Sequence, residues 1–172
     1  MANTYTLISS NVLSSSAASV TFSAIPSTYT DLVLRISARI TTTDVDDLLM
    51  QFNSLTTYSY TQLRGYNGTS VASSRATAAS RIRVSEVNGA TSTSNTYTST
   101  EIYIPNYNAS TAHPTSSFGA VEENGTTYNK LNTTAGLYSA TSVPITSITF
   151  SLNGSFNFLS TSSFYLYGIK NS

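Results

Sequence analysis

The chain has 172 residues, enough for one β-sandwich or barrel to bury a full core without disulfide staples. Charged residues are only 9% of it, about a third of the ordinary share, while Ser and Thr supply roughly a third of all positions, so hydroxyls stand where charges usually do. A formal net charge of +0 gives no bulk attraction to nucleic acid or an anionic membrane, the absence of Cys excludes disulfides and thiolate metal sites, and one histidine, His113, cannot build a zinc site.

Residues 1–15 open as an N-terminal arm or a first strand, and Met1-Ala2-Asn3-Thr4 lacks the basic segment and apolar core of a signal peptide. Ala18, Val20, Phe22 and Ala24 alternate with Ser19, Thr21 and Ser23, predicting a half-buried strand that stops at Pro26. The strongest strand pattern follows over Asp31 to Ile40. Leu32, Leu34, Ile36, Ala38 and Ile40 share the core face, and Val33, Arg35, Ser37 and Arg39 share the other. A loop with Asp44, Asp46 and Asp47 leads to a strand over Leu48 to Asn53. Tyr58 to Tyr66 and Arg81 to Val87 read as strands on either side of a Ser/Ala-rich connection, Val71 to Ser80, expected to be a loop. Gly89 to Thr100 is a solvated loop or a polar hairpin, after which Glu101 to Pro105, Ser117 to Val121, Tyr128 to Tyr138, Ile145 to Leu152 and Phe164 to Ile169 supply further strands.

Four Asn-Gly pairs, Asn67-Gly68, Asn88-Gly89, Asn124-Gly125 and Asn153-Gly154, punctuate these runs. A type I′ turn needs positive φ at both central residues, which Asn-Gly accepts cheaply, so each pair predicts a hairpin. The expected fold is all-β: a single domain over 1–172, a two-sheet antiparallel sandwich of about nine or ten strands, jelly-roll-like. Ser19-Val20-Thr21-Phe22-Ser23 is echoed by Ser147-Ile148-Thr149-Phe150-Ser151, as two strands in similar environments would be.

Chemistry-bearing clusters are sparse. Asp44, Asp46 and Asp47 lack the turn glycine and distant Glu of a calcium loop and read as a solvated tip. Glu122 and Glu123 precede a turn and keep it wet, and His113, in Ala112-His113-Pro114, reads as a surface or turn histidine. No nucleophile elbow, phosphate loop or dinucleotide fingerprint is present, so no catalytic residue, cofactor site or metal site is assigned. Twelve tyrosines and no tryptophan draw attention to aromatic surface. Tyr58, Tyr60 and Tyr66 bracket Arg64, a set able to meet a sugar ring or a protein neighbour, and Arg75, Arg81 and Arg83 concentrate positive charge that could dock on an acidic partner.

The run Val20-Thr21-Phe22-Ser23-Ala24-Ile25-Pro26-Ser27-Thr28-Tyr29-Thr30-Asp31-Leu32-Val33-Leu34-Arg35 resembles the opening of a widespread class of tailed-bacteriophage virion proteins, and Ser163-Phe164-Tyr165-Leu166-Tyr167-Gly168-Ile169-Lys170 resembles its closing strand. Leu49-Met50-Gln51-Phe52-Asn53, Tyr58-Ser59-Tyr60 and Leu63-Arg64-Gly65-Tyr66-Asn67-Gly68 are similar to its middle strands, with a departure at Asn53-Ser54, where glycine is expected second. The resemblance implies a non-enzymatic β-sandwich on the particle exterior, decorating the head or built into the tail and its fibres.

The leading expectation is therefore a capsid decoration, cement or knob protein, made in the host bacterial cytoplasm and located in the virion. Its partners would be the major capsid protein or other virion proteins and sister copies, with a trimer as the expected homo-oligomer. The alternative is a tail or tail-fibre component binding a host-surface glycan, and a third reading is a carbohydrate-degrading domain using Asp44, Asp46 or Glu101.

Overall fold

Apolar residues alternate with Ser and Thr through most of the chain, the pattern a pleated strand needs when one face is buried. The computed structural model describes residues 5–123, 129–139 and 143–170 and contains twelve strands and, among the described residues, no helix. They are β1 (Thr6–Val12), β2 (Ser19–Phe22), β3 (Asp31–Ala38), β4 (Asp46–Phe52), β5 (Tyr58–Tyr66), β6 (Ser70–Ala79), β7 (Ile82–Val87), β8 (Thr98–Ile104), β9 (His113–Glu123), β10 (Asn129–Tyr138), β11 (Ile148–Leu152) and β12 (Ser163–Ile169).

The count exceeds nine or ten for two reasons. Residues 1–15 contribute β1, and the stretch Val71 to Ser80, expected as a loop, is mostly β6. Its Ser and Ala content is a weak strand signal, but a tight turn at Asn67-Gly68 delivers it against β5, where Tyr66 faces Ser70 and Leu63 faces Ser73. Asp46 and Asp47 likewise belong to β4, not to a loop, and Asp46 Oδ2 accepts from Gly154 N at 2.9 Å.

Two antiparallel sheets result, an eight-stranded one ordered β1-β12-β3-β8-β9-β10-β5-β6 and a four-stranded one ordered β2-β11-β4-β7. The two echoed segments turn out to be neighbours, with Thr21 opposite Thr149 and their hydroxyls 2.9 Å apart. Between the sheets lie Leu32, Leu34 and Ile36 of β3, Phe164 and Leu166 of β12, and Met50, Phe52 and Phe150 from the smaller sheet. Val33 is buried too, although it faces away from this core, because its cross-strand neighbours Tyr103 and Tyr167 flank it.

Only some of the glycine turns behave as hairpins. Asn67 and Gly68 have φ of 51° and 65°, and Thr69 N donates to Tyr66 O at 3.1 Å, closing the expected β5–β6 turn. Asn88-Gly89 and Asn153-Gly154 do not, since β7 and β8, like β11 and β12, lie in different sheets. Gly89 is needed instead because a Cβ there would collide with the Asp44 carbonyl. Asn124-Gly125 lies outside the described residues. At Asn53-Ser54 the turn forms without its glycine, with both residues left-handed at φ 48° and 58°.

β7, at the margin of the smaller sheet, presses on β9 and β10. Glycines allow the approach: a Cβ on Gly136 would stand 2.6 Å from Thr115 Oγ1 and 2.9 Å from Ile82 Cγ2, and one on Gly119 would strike the Ser85 hydroxyl. Hydroxyls then serve the margin strand, with Ser117 Oγ donating to Val84 O at 2.7 Å and Thr98 Oγ1 accepting from Asn88 N at 2.9 Å. Gly136→Val should force the sheets apart and lower stability by about 1–3 kcal/mol or more in urea unfolding, as overpacked cores do.

Candidate functional site

The seven side chains singled out from the sequence do not form one patch. Tyr58 is only 1% exposed, its hydroxyl donates to Phe52 O at 3.2 Å and accepts from Phe52 N at 2.7 Å, and its ring packs on Tyr138 with centroids 5.2 Å apart. It is a core residue and makes no outer contact. Burial pushes its hydroxyl pKa up to about 12. Tyr60 is half-buried on the same inner face, Arg75 is exposed on the opposite face, and Arg81 stands immediately before β7.

Arg64, Tyr66 and Arg83 do meet, around a carboxylate that sequence reading passed over. Glu86 is 3% exposed and lies 3.1 Å from Arg64 Nη1, 3.1 Å from Lys130 Nζ and 3.5 Å from Arg83 Nη2. Arg83 also pairs with Asp47, and both Arg64 and Lys130 sit over the Tyr66 ring, 5.6 and 5.5 Å from its centroid. Desolvation outweighs Arg83 at Asp47 and raises that carboxyl above its usual range. These elements, β4, β5, β7 and β10, converge where the four-stranded sheet ends at β7, so the cluster ties that margin to the larger sheet through opposite charges. It is a clamp between sheets.

His113 is also not on the surface. It begins β9, is fully buried, stacks on Tyr138 at 6.0 Å with planes 5° apart, and brings Nε2 to 3.1 Å from Val143 O. Pro114 does not prevent this, because β8 pairs with β9 only as far as Ser116, and a proline is tolerated where a strand is bounded on one side. Among the described residues no group of three His, Cys, Asp or Glu could hold a metal ion.

The surface with most to offer is the outer face of the eight-stranded sheet, assembled by register. In one row Ser163, Ser37, Ser99 and Ala120 stand opposite one another across β12, β3, β8 and β9. In the next row come Tyr165, Arg35, Glu101, Phe118, Thr133 and Leu63. Most of the exposed large apolar side chains of the described residues lie on this face. It has two sectors. Over β5, β6, β9 and β10, Leu63, Val71, Phe118, Leu131 and Leu137 are exposed, Val71 most of all at 74%. Over β12, β3 and β8, a trough of about 470 Å³ is lined by Arg35, Ser37, Ser99, Glu101, Ser163, Tyr165 and Tyr167.

In that trough Arg35 Nε lies 3.1 Å from Glu101 Oε2, and the two side chains remain 61% and 55% exposed. The Tyr165 and Tyr167 rings stack at 6.5 Å, and Tyr5 meets Tyr167 edge-on at 6.4 Å. Tyr103 closes the face nearby, its hydroxyl donating to Asp31 Oδ2 at 2.8 Å. The visible signal was the Tyr-x-Tyr alternation of the closing strand, but the pairing of Arg35 with Glu101 needs the β3–β8 register. Compared with family models, curated proteins and solved structures, the chain matches none.

Glu86→Gln should remove the carboxylate that Arg64, Arg83 and Lys130 share, with Asp47 still answering Arg83, and cost about 3–5 kcal/mol in urea unfolding, the usual loss when a buried ion pair is broken from one side. A second outcome concerns alkaline pH. The Tyr58 hydroxyl stays protonated in the fold to about 12 but ionises near 10.0 when unfolded, so the unfolded state binds fewer protons in that window and stability falls as pH rises through it. The loss from this group should be on the order of 2–3 kcal/mol by the top of the window. Urea midpoints from about pH 9 to about pH 11.5 should fall less steeply in Tyr58→Phe, with Tyr138, Tyr107 and Tyr103, shifted the same way, contributing to the remaining slope.

Proposed function

We propose that this chain is a non-enzymatic structural protein of a tailed-phage particle, a jelly-roll sandwich that docks on the capsid exterior as a decoration or cement subunit. The observation that carries the proposal is the apolar sector of the outer face. Leu63, Val71, Phe118, Leu131 and Leu137 are exposed on one face of four adjacent strands, and large apolar side chains gathered on one face in this way suit an interaction surface. A shell subunit is the partner proposed for it, with the charge-poor, hydroxyl-rich surface adding little self-repulsion to oppose packing at high density. Sister copies arranged as a trimer around a symmetry axis of the shell complete the proposal.

Strand order supports the jelly-roll reading. With β2, β3, β4, β5, β6, β7, β8 and β11 taken as strands one to eight, the smaller sheet runs one, eight, three, six. The larger runs two, seven, four, five, with the β9–β10 hairpin inserted between seven and four, and with β12 and β1 added beyond two. Jelly rolls serve in capsids and in lectins alike, so the fold is an analogy and not itself a function.

A second reading, a tail or fibre component that binds a host-surface glycan, is favoured by the tyrosine-lined trough. Quantitative mass spectrometry of purified particles separates the two. Copy number that tracks the major shell subunit is the expected result, a few copies in tail-symmetry multiples would move the chain to the tail, and absence from particles would remove both readings.

A further inference from the structure

We propose that the trough over β12, β3 and β8 is a binding site for a neutral oligosaccharide. The inference deepens the glycan reading and takes its ligand class from the chemistry of the lining. Ser163, Ser37 and Ser99 stand directly opposite one another on three consecutive strands, and three short side chains in line make a floor lower than the rows beside it. The resulting volume, about 470 Å³, lies within the range of small-ligand sites.

The wall on one side supplies two kinds of contact. A pyranose ring has a flat face of C–H groups and a rim of hydroxyls. Tyr165 and Tyr167, two positions apart on β12 with rings stacked at 6.5 Å, offer amphipathic aromatic surface to the flat face. Arg35 and Glu101, directly opposite on β3 and β8, offer a donor and an acceptor to a hydroxyl rim. Their ion pair is exposed and single, Nε to Oε2, so it adds little to stability and leaves the other guanidinium N–H groups and carboxylate oxygen to face a ligand. The pair is neutral as a unit. A phosphate or uronate would gain Arg35 but meet Glu101, whereas an uncharged sugar can use both, and the serine hydroxyls extend the same polar pattern along the floor.

The two sectors of the outer face can act separately. Adjacent strands of a sheet rotate by roughly 20° on average, and β5 is five steps from β12, so the apolar end and the trough face different directions.

The test is an array of bacterial-surface oligosaccharides, neutral and acidic, probed with the full chain and followed by titration calorimetry on each glycan that binds. Tyr165→Ala and Glu101→Gln change exposed outer-face side chains, and thermal melts verify that both fold. Expected are binding to a neutral glycan, at least tenfold weaker in each variant, and no change in Arg75→Ala at the other end of the face. Binding confined to anionic glycans would overturn the ligand class. Equal binding by the wild type and both variants would overturn the site while sparing the glycan reading, and no binding to any glycan would overturn both.

Discussion

The hydrogen bond from Ser117 Oγ to the Val84 carbonyl marks the constraint on which the rest of the molecule depends: a four-stranded sheet must end in the middle of an eight-stranded one. An exposed margin strand there would leave backbone groups unpaired between two sheets, where water is scarce and each orphan is costly. The solution is chemical. β8 and β9 present Thr98 and Ser117 inward in place of aliphatic residues, and Gly119 and Gly136 let β7 come close enough to use those hydroxyls and the space around them. The buried face of the larger sheet is therefore apolar along β12 and β3 and hydroxyl-rich along β8, β9 and β10.

Toward the Tyr66 end of β5 the inner face carries Arg64 in place of an apolar residue, and the Glu86 cluster takes over. Three cations around one carboxylate, with Asp47 answering Arg83, hold β4, β5, β7 and β10 together without an aliphatic layer. In a chain with so few charges, this many at one seam is a concentrated use of them. A related device holds the segment before β8. The guanidinium of Arg39, buried on β3's continuation, donates to the carbonyls of Ala90, Ser92, Thr93 and Thr96 and folds that polar stretch onto the sheet. Both clusters carry shape, which is why the arginines near Tyr66 are not free to meet a partner.

With much of the charge committed to the seams, the outer face of the larger sheet carries mainly tyrosines, serines and aliphatics, together with Arg35, Glu101 and Arg75. Its two sectors differ in what they can recognise. The β5–β6 end offers apolar area, which gains from contact of any matching shape. The β12–β3–β8 end offers oriented donors, acceptors and rings, which reward a particular ligand. A particle-surface protein that docks by the first and displays the second would combine both proposals in one sheet.

Period-two alternation was enough to find β2, β3, β5, β11 and β12 and to assign the inward set of β3, because burial of one face dictates residue type locally. Asn67-Gly68 likewise announced its turn, since positive φ at both positions is a backbone requirement that two residues meet alone. Other features depended on distant chain. β6 is a strand because a hairpin brings it to β5, not because Ser and Ala prefer strands. His113 is buried because Tyr138 and the backbone at Val143 cover it, and Asn88-Gly89 crosses between sheets instead of closing a hairpin. Arg35 meets Glu101, and Glu86 gathers Arg64 and Lys130, only through strand register. The sequence by itself determined the strands whose alternation is strong and which of their faces are apolar, whereas the tertiary structure decided the weakly patterned strands and which faces oppose one another, because pairing couples residues far apart in the chain and side-chain alternation carries no record of the partner.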